Sequence, residues 1–269
     1  MKKIDIHCHT TKKQIGGRSA TLESIYQEMN KYEIEKTVVL ATYFPHRGTG
    51  ITNFRLFNWI RDKPEFLMFG SLDFEHYFNT GINELNELGE LGYLSGIKLY
   101  TSYQNIDLKS NKINELVKVS RNFKVPLMFH CGYSYSAMST LGKIAITDVV
   151  KASDLEFLAK DNPDVKIIAS HLSKPFLKDL TEVVKRNNNF YTDMSGVVDF
   201  DSTKQEKEEA VLEVKSFLYE CGPNKLLFGT DFPIQSHEDS VYFVEEAMKG
   251  FNELDKMKVY YHNARRLLK

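Results

Sequence analysis

Lys3-Ile4-Asp5-Ile6-His7-Cys8-His9 opens the chain as a short β-branched run that breaks off in polar residues, the pattern of a buried strand arriving at a surface. Seven more such runs follow: Thr37 to Thr42, Phe66 to Leu72, Gly96 to Leu99, Leu127 to His130, Lys166 to Ala169, Phe190 to Thr192 and Leu226 to Phe228. Helical patterns stand between them, among them Leu22 to Lys31, Asn111 to Phe123, Asp154 to Lys160, Lys178 to Arg186 and Lys204 to Tyr219, with Thr21, Ser110 and Ser153 placed as N-caps. Strand and helix in strict alternation predict parallel βα units. Eight of them predict an α/β fold, a single (β/α)8 TIM-like barrel spanning residues 1–269 as one domain. A doubly wound sheet would carry a Gly-rich phosphate loop after its first strand. Gly16-Gly17 lies too far on and lacks the third glycine.

The composition narrows the class. With 42% hydrophobic and 26% charged residues the chain has material for a large core, without the bias that marks disorder. Thirty-five basic against 36 acidic residues leave a net charge of -1, so no global field draws in nucleic acid or an anionic membrane. A small-molecule substrate is expected, with a homo-oligomer compatible. The start of the chain has no signal-peptide pattern and no run reaches a membrane span. Cys8, Cys131 and Cys221 show no Cys-x-x-Cys spacing, which fits a reducing, cytoplasmic setting. The charge run Lys204 to Glu209 reads as the solvated face of a helix.

In a strand, residues two apart share a face, so His7 and His9 point the same way and Cys8 the other. Taken alone the pair reads equally as polar strand-end residues. His130 and His171, however, end the fifth and sixth runs, and Asp231 stands just past the eighth, which closes a barrel beside the first. That rim is where barrel enzymes keep their active sites. Imidazoles with one carboxylate suit a divalent ion, Zn²⁺ first, with Mn²⁺, Fe²⁺ or Co²⁺ as alternatives. His46, His76 and His237 also follow strands and read as ordinary loop histidines.

Five ordered motifs, Asp5-Ile6-His7-Cys8-His9, Gly96-Ile97-Lys98-Leu99-Tyr100, Pro126-Leu127-Met128-Phe129-His130, Ala169-Ser170-His171-Leu172 and Phe228-Gly229-Thr230-Asp231-Phe232-Pro233, resemble the amidohydrolase superfamily. Asn263-Ala264-Arg265-Arg266-Leu267 resembles the tail of its amidohydrolase-2 branch. The resemblance implies that His7, His9 and Asp231 bind a metal with His130 as a further ligand. It implies for His171 either contact with substrate and water or ligation of a second ion. Lys98, if carboxylated, would bridge two ions. Strand four shows no acidic signature of the TatD-like nucleases, so nuclease activity is not expected.

The expected reaction is hydrolysis of an amide, ester or lactone of a small, anionic substrate. A bound ion brings water to a pKa of about 7, Asp231 shuttles its proton, and His171 helps to stabilise the oxyanion. Two other readings stand beside it: decarboxylation of an aromatic or unsaturated acid at a single metal, and a barrel that binds small molecules without turnover. Lys12, Lys13, Arg18 and Arg47 are candidate cations for a substrate anion, and Tyr133 and Tyr135 candidate lid residues. By alternation Lys98 faces inward with Gly96 and Tyr100, and burial would favour its neutral amine.

Overall fold

The computed structural model describes residues 1–42, 50–132 and 149–268. Its strands in chain order are β1 (Lys3–Cys8), β2 (Thr11–Ile15), β3 (Arg18–Ala20), β4 (Ile34–Leu40), β5 (Phe66–Gly70), β6 (Leu94–Leu99), β7 (Leu127–Phe129), β8 (Ile167–Ala169), β9 (Phe190–Asp193) and β10 (Leu226–Leu227). All but β2 and β3 form one parallel sheet in the order β1-β4-β5-β6-β7-β8-β9-β10. Its two edges meet: the Ile6 N–H donates to the Phe228 carbonyl at 3.0 Å, Asp231 N–H to the His7 carbonyl at 2.7 Å and His9 N–H to the Phe232 carbonyl at 2.8 Å. The sheet is thus a TIM barrel, with helices in the strand-to-strand connections.

Alternation along each strand sorts the apolar side chains into two layers. Ile4, Ile6, Val38, Leu40, Phe69, Met128, Ile168 and Leu227 fill the barrel interior, joined by Ala264, Leu267 and Leu268 from the C-terminal helix region. The Asn263 amide donates to the Leu226 carbonyl at 2.7 Å and Tyr261 bonds Glu35, so this last segment seals the end where the strands begin. The other residues, such as Val39, Ile97, Phe129 and Ile167, pack outward on Ile25, Leu56, Leu116, Leu180 and Phe243 of the helices. Each such fully buried side chain contributes about 1.5–3 kcal/mol. Gly96 shows how tightly the interior is filled: a Cβ there would meet the Phe69 ring at 2.3 Å.

All eight expected barrel strands are present, and the helices Leu22–Lys31 and Asn111–Phe123 have the expected bounds. Thr21 caps through its hydroxyl, which accepts from Ser24 N–H. Ser110 takes the N-cap position without a side-chain cap bond. Ser153 lies inside its helix, which begins at Ala152 because the Asp154 carboxylate reaches back to the Lys151 N–H at 2.8 Å. The stretch Lys204 to Glu209 forms the exposed to half-buried first turns of the helix Lys204–Cys221. The hairpin of β2 and β3, turned at Gly16 and Gly17 with φ of +54° and +73°, was not among the expected strands. Its Thr-Lys-Lys-Gln-Ile sequence has no apolar run to announce it.

Candidate metal centre

The first strand does more than alternate. Asp5 faces outward, where its carboxylate accepts from Thr230 N–H and Oγ1–H at 3.1 and 2.7 Å and stands 3.6 Å from His237. Strict alternation would send His7 out with it. A register shift between Asp5 and Cys8 intervenes, a bulge that re-aims the next side chains. His7 and His9 therefore turn to the mouth of the barrel, and Cys8 joins the outer layer.

Strained backbone brings in two of the other groups. Asp231 has φ of +58°, and His171, Leu172 and Ser173 have φ of +63°, +49° and +51°. Left-handed conformations cost a non-glycine residue about 1–2 kcal/mol each, and here they follow strand ends that carry candidate site residues. The turn is held by Asp193, whose Oδ1 accepts from the His171 N–H at 2.9 Å. His130 extends β7, its N–H donating to the Leu99 carbonyl at 2.8 Å.

The side chains converge as expected. His9 Nε2 and His7 Nε2 lie 3.1 and 3.4 Å from Asp231 Oδ1, the His7 and His171 rings are 4.8 Å apart, and the His171 and His130 rings 4.7 Å. Gly196 leaves them room, since a Cβ there would stand 2.6 Å from Asp231 Oδ2 and 2.8 Å from His171 Nδ1. Lys98 is fully buried, as alternation requires, and its ammonium donates to Ser170 Oγ at 2.7 Å.

The protons can be placed by elimination. Burial, reinforced by the Lys98 charge, pushes the His7 imidazole down to about 3, so the ring is neutral at pH 7. Its Nδ1 lies 3.0 Å from Asp193 Oδ2. A carboxylate only accepts, which puts the single proton on Nδ1 and leaves a lone pair on Nε2. Burial also lowers His171; its Nδ1–H donates to the Ser195 carbonyl at 2.8 Å, and its Nε2 accepts from His130 Nδ1–H at 3.1 Å. That leaves His130 Nε2 unprotonated, buried and without a hydrogen-bond partner among the described residues. Burial alone would raise the Asp231 carboxyl, but the His9 hydrogen bond and neighbouring imidazoles hold it well below the usual carboxylate range. Burial brings Lys98 down to about 8, against the pull of Asp193.

This donor set fits a divalent cation. His7 Nε2, His9 Nε2 and Asp231 Oδ1 lie close enough to share one ion, His9 giving up the proton it now donates to Asp231, and the orphaned His130 Nε2 has the unmet need of a ligand nitrogen. A second grouping, His7, His171 and Asp193, is occupied already: the Ser195 hydroxyl sits among them at 2.9, 3.1 and 2.6 Å.

Asp193 and Ser195 were not singled out in the sequence. The signal was available, because Tyr191 and Asp193 alternate toward the interior and Asp193 is a strand-end carboxylate like Asp231. His76 is exposed and leans on Asp73, and His237 is buried between Tyr32 and Phe232, away from the cluster. Arg18 donates to the carbonyls of Pro233 and Ile234 at 3.0 and 2.7 Å, tying the hairpin to the loop after β10. His46, Arg47, Tyr133, Tyr135 and the side chain of Lys13 lie outside the described residues. A groove of about 780 Å³ opens elsewhere, over Arg18, Glu28, Tyr32 and Asp239, and none of the clustered histidines lines it.

The amidohydrolase family model matches residues 4–269. The chain belongs to the amidohydrolase family. Among solved structures, this amidohydrolase is similar to a probable 2-pyrone-4,6-dicarboxylic acid hydrolase from Acinetobacter baumannii with citric acid bound, at 15% identity and a TM-score of 0.69, covering 99% of each chain. It is similar to an amidohydrolase from Burkholderia multivorans with bound zinc, at 13% identity and a TM-score of 0.71, covering 100% of each chain. A third is the 5-carboxyvanillate decarboxylase of Sphingomonas paucimobilis, at 15% identity and a TM-score of 0.70, covering 99% of this chain and 98% of that one. At these identities the likeness concerns the fold. No curated protein matches the sequence significantly. No helix among the described residues is long and apolar enough to cross a membrane.

Proposed function

We propose that this amidohydrolase is a metal-dependent hydrolase that cleaves an amide, ester or lactone of a small anionic molecule. The observation that carries the reading is the convergence of His7 Nε2 and His9 Nε2 on Asp231 Oδ1, beside the unpartnered His130 Nε2. His7, His9, His130 and Asp231 would hold the ion, zinc by the chemistry of the donors. A bound divalent ion supplies Lewis acidity and makes water acidic enough to ionise near neutral pH.

The chain's own groups then account for the protons. The free oxygen of Asp231 accepts a proton from water as the water oxygen bonds to the acyl carbon, and passes it to the leaving nitrogen or oxygen as that bond breaks. Ionised and nearly buried, Asp231 can take up a proton without first losing one. His171 is held in the same cluster by both ring nitrogens, its Nδ1–H donating to the Ser195 carbonyl and its Nε2 accepting from His130. Lys98 places a buried cation in the barrel near these groups, where a substrate carboxylate would be attracted.

That same cation supports a second reading, decarboxylation, because an ammonium buried at the site would hold the acid to be cleaved. The 5-carboxyvanillate decarboxylase shares the fold. A panel of lactones, esters and amides carrying a carboxylate, run beside hydroxylated aromatic acids on the zinc-loaded chain, separates the two. Hydrolysis is expected to release acid without CO₂, and CO₂ release without water uptake would replace this reading with the second.

Lys98 also bears on metal number. Its hydrogen bond to Ser170 is one an ammonium makes, and a positive charge there would repel a second ion. We expect one equivalent of metal in both the parent and Lys98→Ala by elemental analysis. A fall from two equivalents to one would instead support a carboxylated Lys98 bridging two ions.

A further inference from the structure

Asp193 has no part in the scheme above, yet it is fully buried and its side chain makes four hydrogen bonds within the site. Its Oδ2 faces His7 Nδ1 at 3.0 Å. Its Oδ1 accepts from the backbone N–H groups of His171 at 2.9 Å and Ser195 at 3.1 Å, and from the Ser195 hydroxyl at 2.6 Å. The hydroxyl oxygen in turn lies 2.9 Å from His7 Nδ1 and 3.1 Å from His171 Nδ1. All of these atoms are buried, so no water competes for the same bonds.

We propose that Asp193, working with Ser195, is a positioning residue that keeps the proton of His7 on Nδ1 and seats the left-handed His171 turn, so that His7 Nε2 is presented as a lone pair and His171 Nε2 accepts from His130. The inference rests on the metal reading for its purpose, but its immediate object is a tautomer. A neutral imidazole exchanges its proton between two nitrogens, and an Nε2–H ring cannot ligate through Nε2. An outer carboxylate that holds the other N–H removes that state, and loss of such a partner typically lowers metal affinity about 10–100-fold.

The two oxygens of Asp193 make the prediction specific. In Asp193→Asn the amide must keep its oxygen where Oδ1 now lies, because the N–H groups of His171 and Ser195 both donate there. Its NH₂ then falls at the position of Oδ2, opposite His7 Nδ1. Two donors cannot face each other, so His7 gives up the Nδ1 proton and takes the Nε2–H form. The fold is kept and the metal-facing lone pair is lost.

The test is ¹⁵N NMR of the histidine side chains in metal-free protein, with His7 assigned by loss of its signals in His7→Gln, together with Zn²⁺ affinity from competition with a chelator. The parent is expected to show His7 protonated at Nδ1. Asp193→Asn, folded by circular dichroism, is expected to show Nε2 protonation and to bind Zn²⁺ about 10–100-fold more weakly. An Nε2–H His7 in the parent, or a folded Asp193→Asn that binds Zn²⁺ within about twofold of the parent, overturns the proposal. If the variant does not fold, the parent spectrum alone decides. A parent with Nδ1–H His7 that binds no Zn²⁺ would defeat the metal reading and leave the positioning role standing.

Discussion

Asp231→Asn is expected to leave the barrel folded and to lower turnover about 10³-fold or more. General-base catalysis contributes about 10²–10⁴-fold, and here the same carboxylate also faces the Nε2 atoms of His7 and His9 at 3.4 and 3.1 Å. An amide oxygen is a weaker ligand and no base. The fold should survive because the Asp231 side chain is outside both apolar layers, while its backbone N–H, which bonds the His7 carbonyl, is untouched. Turnover of the zinc-loaded variant on a substrate of the parent, with metal content measured on the same sample, checks this. Activity within about tenfold of the parent at full metal occupancy would remove Asp231 from the role of base.

Removal of the metal should have a comparable effect on activity and a much smaller one on structure. Dialysis against a chelator is expected to lower turnover by at least about 10⁴-fold, since water without the ion has a pKa near 15.7 against about 7 with it. The far-ultraviolet spectrum should not change, because the interior and outer layers need no ion. Thermal stability should fall by the linkage amount, about 4 kcal/mol if the ion is present at 1,000 times its dissociation constant. Zn²⁺ or Mn²⁺ should restore both. A chelated preparation that retains full activity would exclude metal-dependent hydrolysis.

The barrel was legible because its strands are short β-branched runs set between strongly amphipathic helices, and because Ile4, Phe69 and Met128 can be buried in only one way in such an arrangement. His7, His9, His130, His171 and Asp231 were legible through strand ends. What could not be read is local backbone. Alternation places His7 and His9 on one side but cannot reveal that a bulge turns them away from Asp5. The left-handed turn at His171, Leu172 and Ser173 has no glycine to signal it. Asp193 escapes the sequence reading because the apolar run Phe190 to Thr192 stops one residue before this carboxylate, which the fold brings to His7 Nδ1.

The meeting of β1 with the segment after β10 has a further consequence for synthesis. His7 and His9 emerge early from the ribosome, yet Asp231, whose N–H bonds the His7 carbonyl, is made more than two hundred residues later. Domains fold as units during translation, and contacts so far apart in sequence form late. A nascent chain halted before residue 226 therefore carries three of the four proposed ligands, His7, His9 and His130, but neither the carboxylate nor the final strand that brings it beside them. Such a chain should not retain zinc tightly, and catalytic competence should appear only once the circle of strands is complete.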